Sequence, residues 1–212
     1  MNLIRQRAKD NFPTVLLSIL GIMQALALEI LWSKIQEIDY LFDFSMVSVI
    51  AWGQIVATFL VVVIVWVIYS SSAMRLRWVP STIDSVFPFL VGLLEFTVIE
   101  NIDPYNPSIW LMLIALVFVS MYWVSHSIMR SARRDPDNTF FFKGVLPAKL
   151  SDFRKESTIV ITLALTSCYF LLSSNNSELI LFIPIFAVNV LLLFELYRAE
   201  IYWARSTAEE KP

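Results

Sequence analysis

MVSVIAWGQIVATFLVVVIVWVIY, residues 46–69, decides the fold. It runs for 24 residues without a charge or a proline. As a helix it is about 36 Å long, more than the roughly 30 Å of hydrocarbon in a bilayer. Its valines and isoleucines would suit a strand in water. A lone strand in lipid leaves its backbone polar groups unpaired, however, so an unbroken apolar run of this length reads as a membrane helix.

Five more stretches of the same kind flank it. They are residues 12–32, 83–99, 109–129, 158–173 and 179–196. The fifth has a short apolar stretch, and residues 174–177 (Ser-Asn-Asn-Ser) join it to the sixth as a tight polar turn. Arg5, Arg7 and Lys9 before an apolar run, followed by Ala25-Leu26-Ala27, imitate a secretory signal. The run continues through Leu28, Ile30 and Leu31, so the expectation is an uncleaved first span. The fold class is therefore an all-α polytopic bundle of six transmembrane helices, one domain over residues 1–212.

Charge supports the same division. Lys and Arg gather in cytoplasmic loops. Of 16 basic residues, all but Lys34 fall on one side: Arg5, Arg7, Lys9, Arg75, Arg77, the cluster from Arg130 to Lys155, Arg198, Arg205 and Lys211. The opposite loops carry Glu37, Asp39, Asp43, Asp103 and Glu178. This predicts cytoplasmic N- and C-termini and, given the short loops, a bacterial inner membrane. Trp32, Trp52, Trp110 and Trp203 stand near predicted span ends, where indoles prefer the interface; Trp66 and Trp123 lie deeper and are expected to pack.

Composition limits the function. The chain is 58% hydrophobic and 16% charged, with a mean hydropathy of +0.68, well beyond a soluble domain. A net charge of −2 offers nothing to nucleic acid, and one cysteine, Cys168, forms no internal disulfide or thiolate cluster. No His-Glu-x-x-His pair, phosphate-binding glycine loop or Gly-x-Ser-x-Gly elbow is present. The expectation is no catalytic residue, no metal and no cofactor.

Ionisable groups within spans are functional candidates by default. On the third span Asp84, Pro88, Gly92 and Glu95 fall within about 80° of one another. Two acids, a kink former and a close-approach glycine on one face would suit a cation path; the plainer alternative is a helix interface, with Asp84 a cap. Glu29 on the first span matches Glu95 in depth, so the expectation is that the two converge or form a ring in an oligomer; the plainer alternative is that Glu29 reaches interfacial water. Gln24, Gln54, Thr58 and Asn189 are polar lining candidates, or packing groups. Thr158, Thr162 and Thr166 form a ridge, and His126 follows Tyr122 by four residues.

The longest connection, residues 130–157, holds Arg130, Arg133, Arg134, Phe140, Phe141, Phe142 and Lys143. Bases beside three phenylalanines suit a lipid surface or a docked protein partner, with a short interfacial helix from Pro147 to Phe153. Six helices with a basic loop after the fourth resemble, in layout alone, the small prokaryotic relatives of the lysosomal potassium channels. The Phe-Ser-Asp motif of their first helix is missing here, and no residue role is carried over.

The leading expectation is a homo-oligomeric cation channel or transport-type protein. The alternative is a non-catalytic membrane subunit, anchor or effector in contact with lipids. A lipid-modifying enzyme ranks third, and would need a polar pocket near His126, Arg130, Arg133 and Arg134.

Overall fold

The structure is a computed structural model that describes residues 3–144, 146–147, 149–173 and 177–207. It is all-helical. Its six long helices are α1 (Leu3–Glu37), α2 (Met46–Arg75), α3 (Thr82–Glu100), α4 (Ser108–Arg133), α5 (Arg154–Leu172) and α6 (Glu178–Thr207). Each is long and apolar enough to cross a membrane. Residues 174–176 of the expected turn, and Lys211, lie outside the described residues.

The helices outrun the apolar spans because hydropathy ends where water begins, whereas a helix ends where its capping changes. Ser45 starts α2 with a reciprocal pair to Ser48. Ser81 starts α3 in the same way, with the Asp84 carboxylate closing the box. Where a short helix was expected from Pro147, a 3-10 turn, Leu150–Phe153, runs directly into α5. The first helical turn of α5 therefore lies before the apolar stretch, at Arg154.

Helix α2 is the centre. It packs on α1 and α6 most heavily and touches α3 and α4. Helix α5 packs chiefly on α4, and α6 chiefly on α2. Much of both helices therefore faces outward, with Leu165, Leu171, Ile183 and Phe186 all more than half exposed. Trp110, expected at the interface, is fully buried and donates its indole N–H to Thr58 Oγ1 at 3.1 Å. Trp123, expected to pack, is 67% exposed.

Successive helices alternate in direction, and one end of the bundle is tied by side chains from distant parts of the chain. Lys9 of α1 is buried and donates to Asp135 at 2.6 Å and to Asp137 at 3.1 Å. Asn138 accepts from the Arg77 backbone N–H at 2.9 Å and donates to the Arg77 and Ala132 carbonyls. Arg77 also pairs with Asp10, and Phe12 meets Trp78 edge-on at 5.6 Å. Burial pushes the Asp135 carboxyl up, but the Lys9 ammonium, the Asp137 N–H and the charge of Arg5 together hold it below the usual carboxylate range. This is the basic end. At the opposite end, Ser167 Oγ donates to the Ser108 carbonyl at 2.7 Å and fixes α5 to the start of α4.

Candidate functional site

The nominated acids do not converge. Glu95 is completely buried, and both of its carboxylate oxygens accept from Gln24 Nε2, at 3.1 and 3.0 Å. Glu29 is exposed, about 140° around α1 from Gln24. Asp84 is buried at the start of α3, where Oδ2 accepts from the Ser81 N–H at 2.7 Å and from its hydroxyl at 2.9 Å. Pro88 is buried on the same face. Gly92 lets α1 approach closely: a Cβ there would run into the Met23 side chain. The proline-glycine-glutamate face of α3 is thus the face turned to α1.

The uncharged candidates also sit in helix contacts. Thr58 donates to the Gln54 carbonyl at 2.7 Å, one turn back along α2. Asn189 donates to the Gly53 and Ile185 carbonyls, both at 2.9 Å, and joins α6 to α2. Gln54 is fully buried, and neither end of its amide has a partner among the described residues. Thr158 and Thr166 bond back to the carbonyls four residues before them, on an exposed face of α5.

What sequence reasoning did not assemble is a set of grooves around the basic-end half of α4. The largest, about 670 Å³, lies between α4 and α5. Val119, Trp123, Val160 and Ile161 line its apolar part; His126, Arg130, Glu156 and Ser157 line its polar part. A second groove of about 590 Å³ begins on the far side of His126 and Arg130, against Phe141, Phe142 and Tyr202. A third, about 450 Å³, opens between α2, α4 and α6 beside Arg75, Glu195 and Arg198.

Local structure explains the arrangement. Tyr122, His126 and Arg130 recur every fourth residue, so they stack along one flank of α4. The 3-10 turn before α5 brings Phe153 edge-on against the His126 ring at 5.4 Å. It also places Glu156 in the first turn of α5, opposite that flank. Helix α6 leans on α2 rather than α4, which leaves the third groove open. There Arg198 pairs with Glu195 at 2.9 Å, and the Arg75 guanidinium lies 4.3 Å over the Tyr202 ring.

The connection after α4 frames the second groove. Arg133 lies 4.5 Å over the Phe142 ring and donates to the Leu146 carbonyl at 3.2 Å. Phe141 and Phe142 meet edge-on at 5.1 Å and are half-buried, while Phe140 is 74% exposed. Arg130, Arg134 and Lys143 are exposed. Among the described residues no group of three His, Cys, Asp or Glu side chains is placed to hold a metal ion.

The chain matches no known family model, no curated protein and no solved structure.

Proposed function

We propose that this is an integral membrane protein, inserted with its basic end toward the cytoplasm, that holds a phosphate-bearing amphiphile in the groove between α4 and α5. One observation carries the reading: the groove is apolar along one length and polar at one end, where Arg130 and His126 face Glu156. Its apolar lining begins at Val119, and Arg130 stands eleven residues further along the helix. Eleven residues of helix cover about 16 Å, half of a roughly 30 Å hydrocarbon core. The groove therefore matches one leaflet in depth. An acyl chain lies along Val119, Trp123 and Val160, and the headgroup reaches Arg130 and His126 at the rim. A guanidinium is suited to a phosphodiester because its N–H groups match two oxygens at once.

This role is non-catalytic. It belongs with a lipid-held subunit, anchor or effector, and it accounts for the bases and phenylalanines of residues 130–143 without any enzyme motif. The test is native mass spectrometry of the protein purified from membranes in mild detergent. Co-purified phospholipid is expected, and Arg130→Gln should remove most of it. A parent protein that carries no phospholipid, or a variant that retains as much as the parent, would defeat the reading.

A second reading, a homo-oligomer that handles cations, is favoured by one specific observation. Glu29 is exposed on a flank of α1 shared with exposed Leu26, Leu28 and Trp32. A carboxylate among lipid-facing apolar side chains is costly, and a ring of copies around a hydrated axis would relieve that cost. Reconstituted bilayers would then show a cation current that Glu29→Gln reduces. Absence of current, or an unchanged one, removes this reading and leaves the first untouched.

A further inference from the structure

The α4–α5 groove offers more than a polar rim. Two polar atoms in residues that line it are enclosed and have no hydrogen-bond partner among the described residues: Glu156 Oε2 and the Tyr122 hydroxyl. Glu156 takes part in none of the ion pairs among the described residues, although Arg130 lines the same groove from the facing helix. An enclosed carboxylate oxygen without a donor is costly. The folded chain thus sets a carboxylate on the α5 wall facing two donor side chains, Arg130 and His126, on the α4 wall.

We propose that the groove selects a glycerophospholipid whose headgroup ends in a primary ammonium, the phosphoethanolamine class. The phosphodiester lies against Arg130 and His126. The ammonium turns inward and pairs with the Glu156 carboxylate across the groove from Arg130. A trimethylammonium headgroup carries the same charge but has no N–H, so it cannot hydrogen-bond the Glu156 carboxylate. A glycerol headgroup has hydroxyl donors but no positive charge, so its net negative charge beside the carboxylate disfavours it. The inference rests on the amphiphile reading above and specifies which amphiphile.

The test offers the purified full chain an equimolar mixture of phosphoethanolamine, phosphocholine and phosphoglycerol lipids with matched acyl chains, and reads bound lipid by native mass spectrometry. The ethanolamine lipid should exceed the choline lipid by roughly tenfold, the worth of one hydrogen bond to a charged group. Glu156→Gln should bring the two within about twofold, by lowering the bound ethanolamine lipid and leaving the choline lipid little changed. Glu156→Asp, which keeps the charge but withdraws it, should fall between, and gives the same reading if the glutamine variant does not fold. Equal binding of ethanolamine and choline lipids, or a preference that survives both substitutions, overturns the headgroup assignment alone. No bound lipid of any class overturns the amphiphile reading beneath it.

Discussion

Glu95 and Glu156 are both carboxylates within the helical bundle, and their surroundings are opposite. Glu95 lies between α1 and α3 with no exposed surface, and Gln24 satisfies both oxygens. Glu156 lies between α4 and α5 on the wall of an open groove, with one enclosed oxygen that has no partner among the described residues. Depth in the sequence span singles out the first; the neighbours supplied by the fold single out the second. A buried polar group that already has its partners has little left to offer a ligand. One near a groove without partners does. The contrast is experimental: changes at the closed site should read out in stability, and changes at the open one in binding.

The largest effect is expected at the closed site. Gln24→Leu removes the donor and strands a fully buried carboxyl group, which costs about 3 kcal/mol. Thermal unfolding in detergent should drop by several degrees, whereas Glu95→Gln, which keeps a polar partner for Gln24, should cost much less. If Gln24→Leu melts with the parent, the Glu95–Gln24 contact is not holding α1 to α3. Gly92→Val follows, at roughly 2 kcal/mol. Its added carbons run into Met23, and because the tip of Met23 is flexible, a cost below about 0.5 kcal/mol would mean that the two helices move apart freely. Neither substitution should alter which lipid is bound.

The basic end sits between these extremes. Lys9→Met leaves Asp135 buried without its cation. The expected loss is about 1–2 kcal/mol at neutral pH, less than for a pair deep in a core, because the site lies at the end of the bundle. The sign with pH follows from Asp135. Its carboxyl is held below the ordinary value in the folded chain, so the stability it contributes is complete above an unfolded value of about 3.9. That contribution disappears as pH falls through the lower folded value. The Asp135 contribution to the parent should therefore be constant from about pH 5 to pH 8 and fall away below about pH 4. In Lys9→Met burial pushes the Asp135 carboxyl up without its main counterweight, so the gap should begin to close at a higher pH than the parent's own loss. A gap that does not change with pH would mean that some other group governs this end.

The six helices were legible because an apolar run of membrane length has few alternative folds in lipid. The interior contacts were legible only in part. Gln24 and Glu95 were each visible as polar residues in apolar spans, but their pairing needs the neighbour relation of α1 and α3, which no spacing in the chain encodes. The stripe of Tyr122, His126 and Arg130 on α4 was visible at its fourfold spacing. Its significance was not, because Glu156 reaches it only through the 3-10 turn that starts α5 four residues before the apolar stretch. Lys9 counted in the sequence as one more topological charge. In the fold it is a buried ion-pair partner for a turn 126 residues away.

The smallest effect on the free protein belongs to Arg130→Gln, and it sharpens the comparison most. Arg130 is exposed and makes no ion pair among the described residues, so without lipid its replacement should change stability by no more than about 0.5 kcal/mol. A ligand that binds only the folded state adds stability by mass action, about 2.7 kcal/mol at a hundred times its Kd. Added phospholipid should therefore raise the unfolding temperature of the parent and of Gln24→Leu by similar amounts, and that of Arg130→Gln hardly at all. The closed site would lower the starting point without changing the increment, and the open site would do the reverse. Equal increments in all three proteins would place the bound lipid somewhere other than the α4–α5 groove.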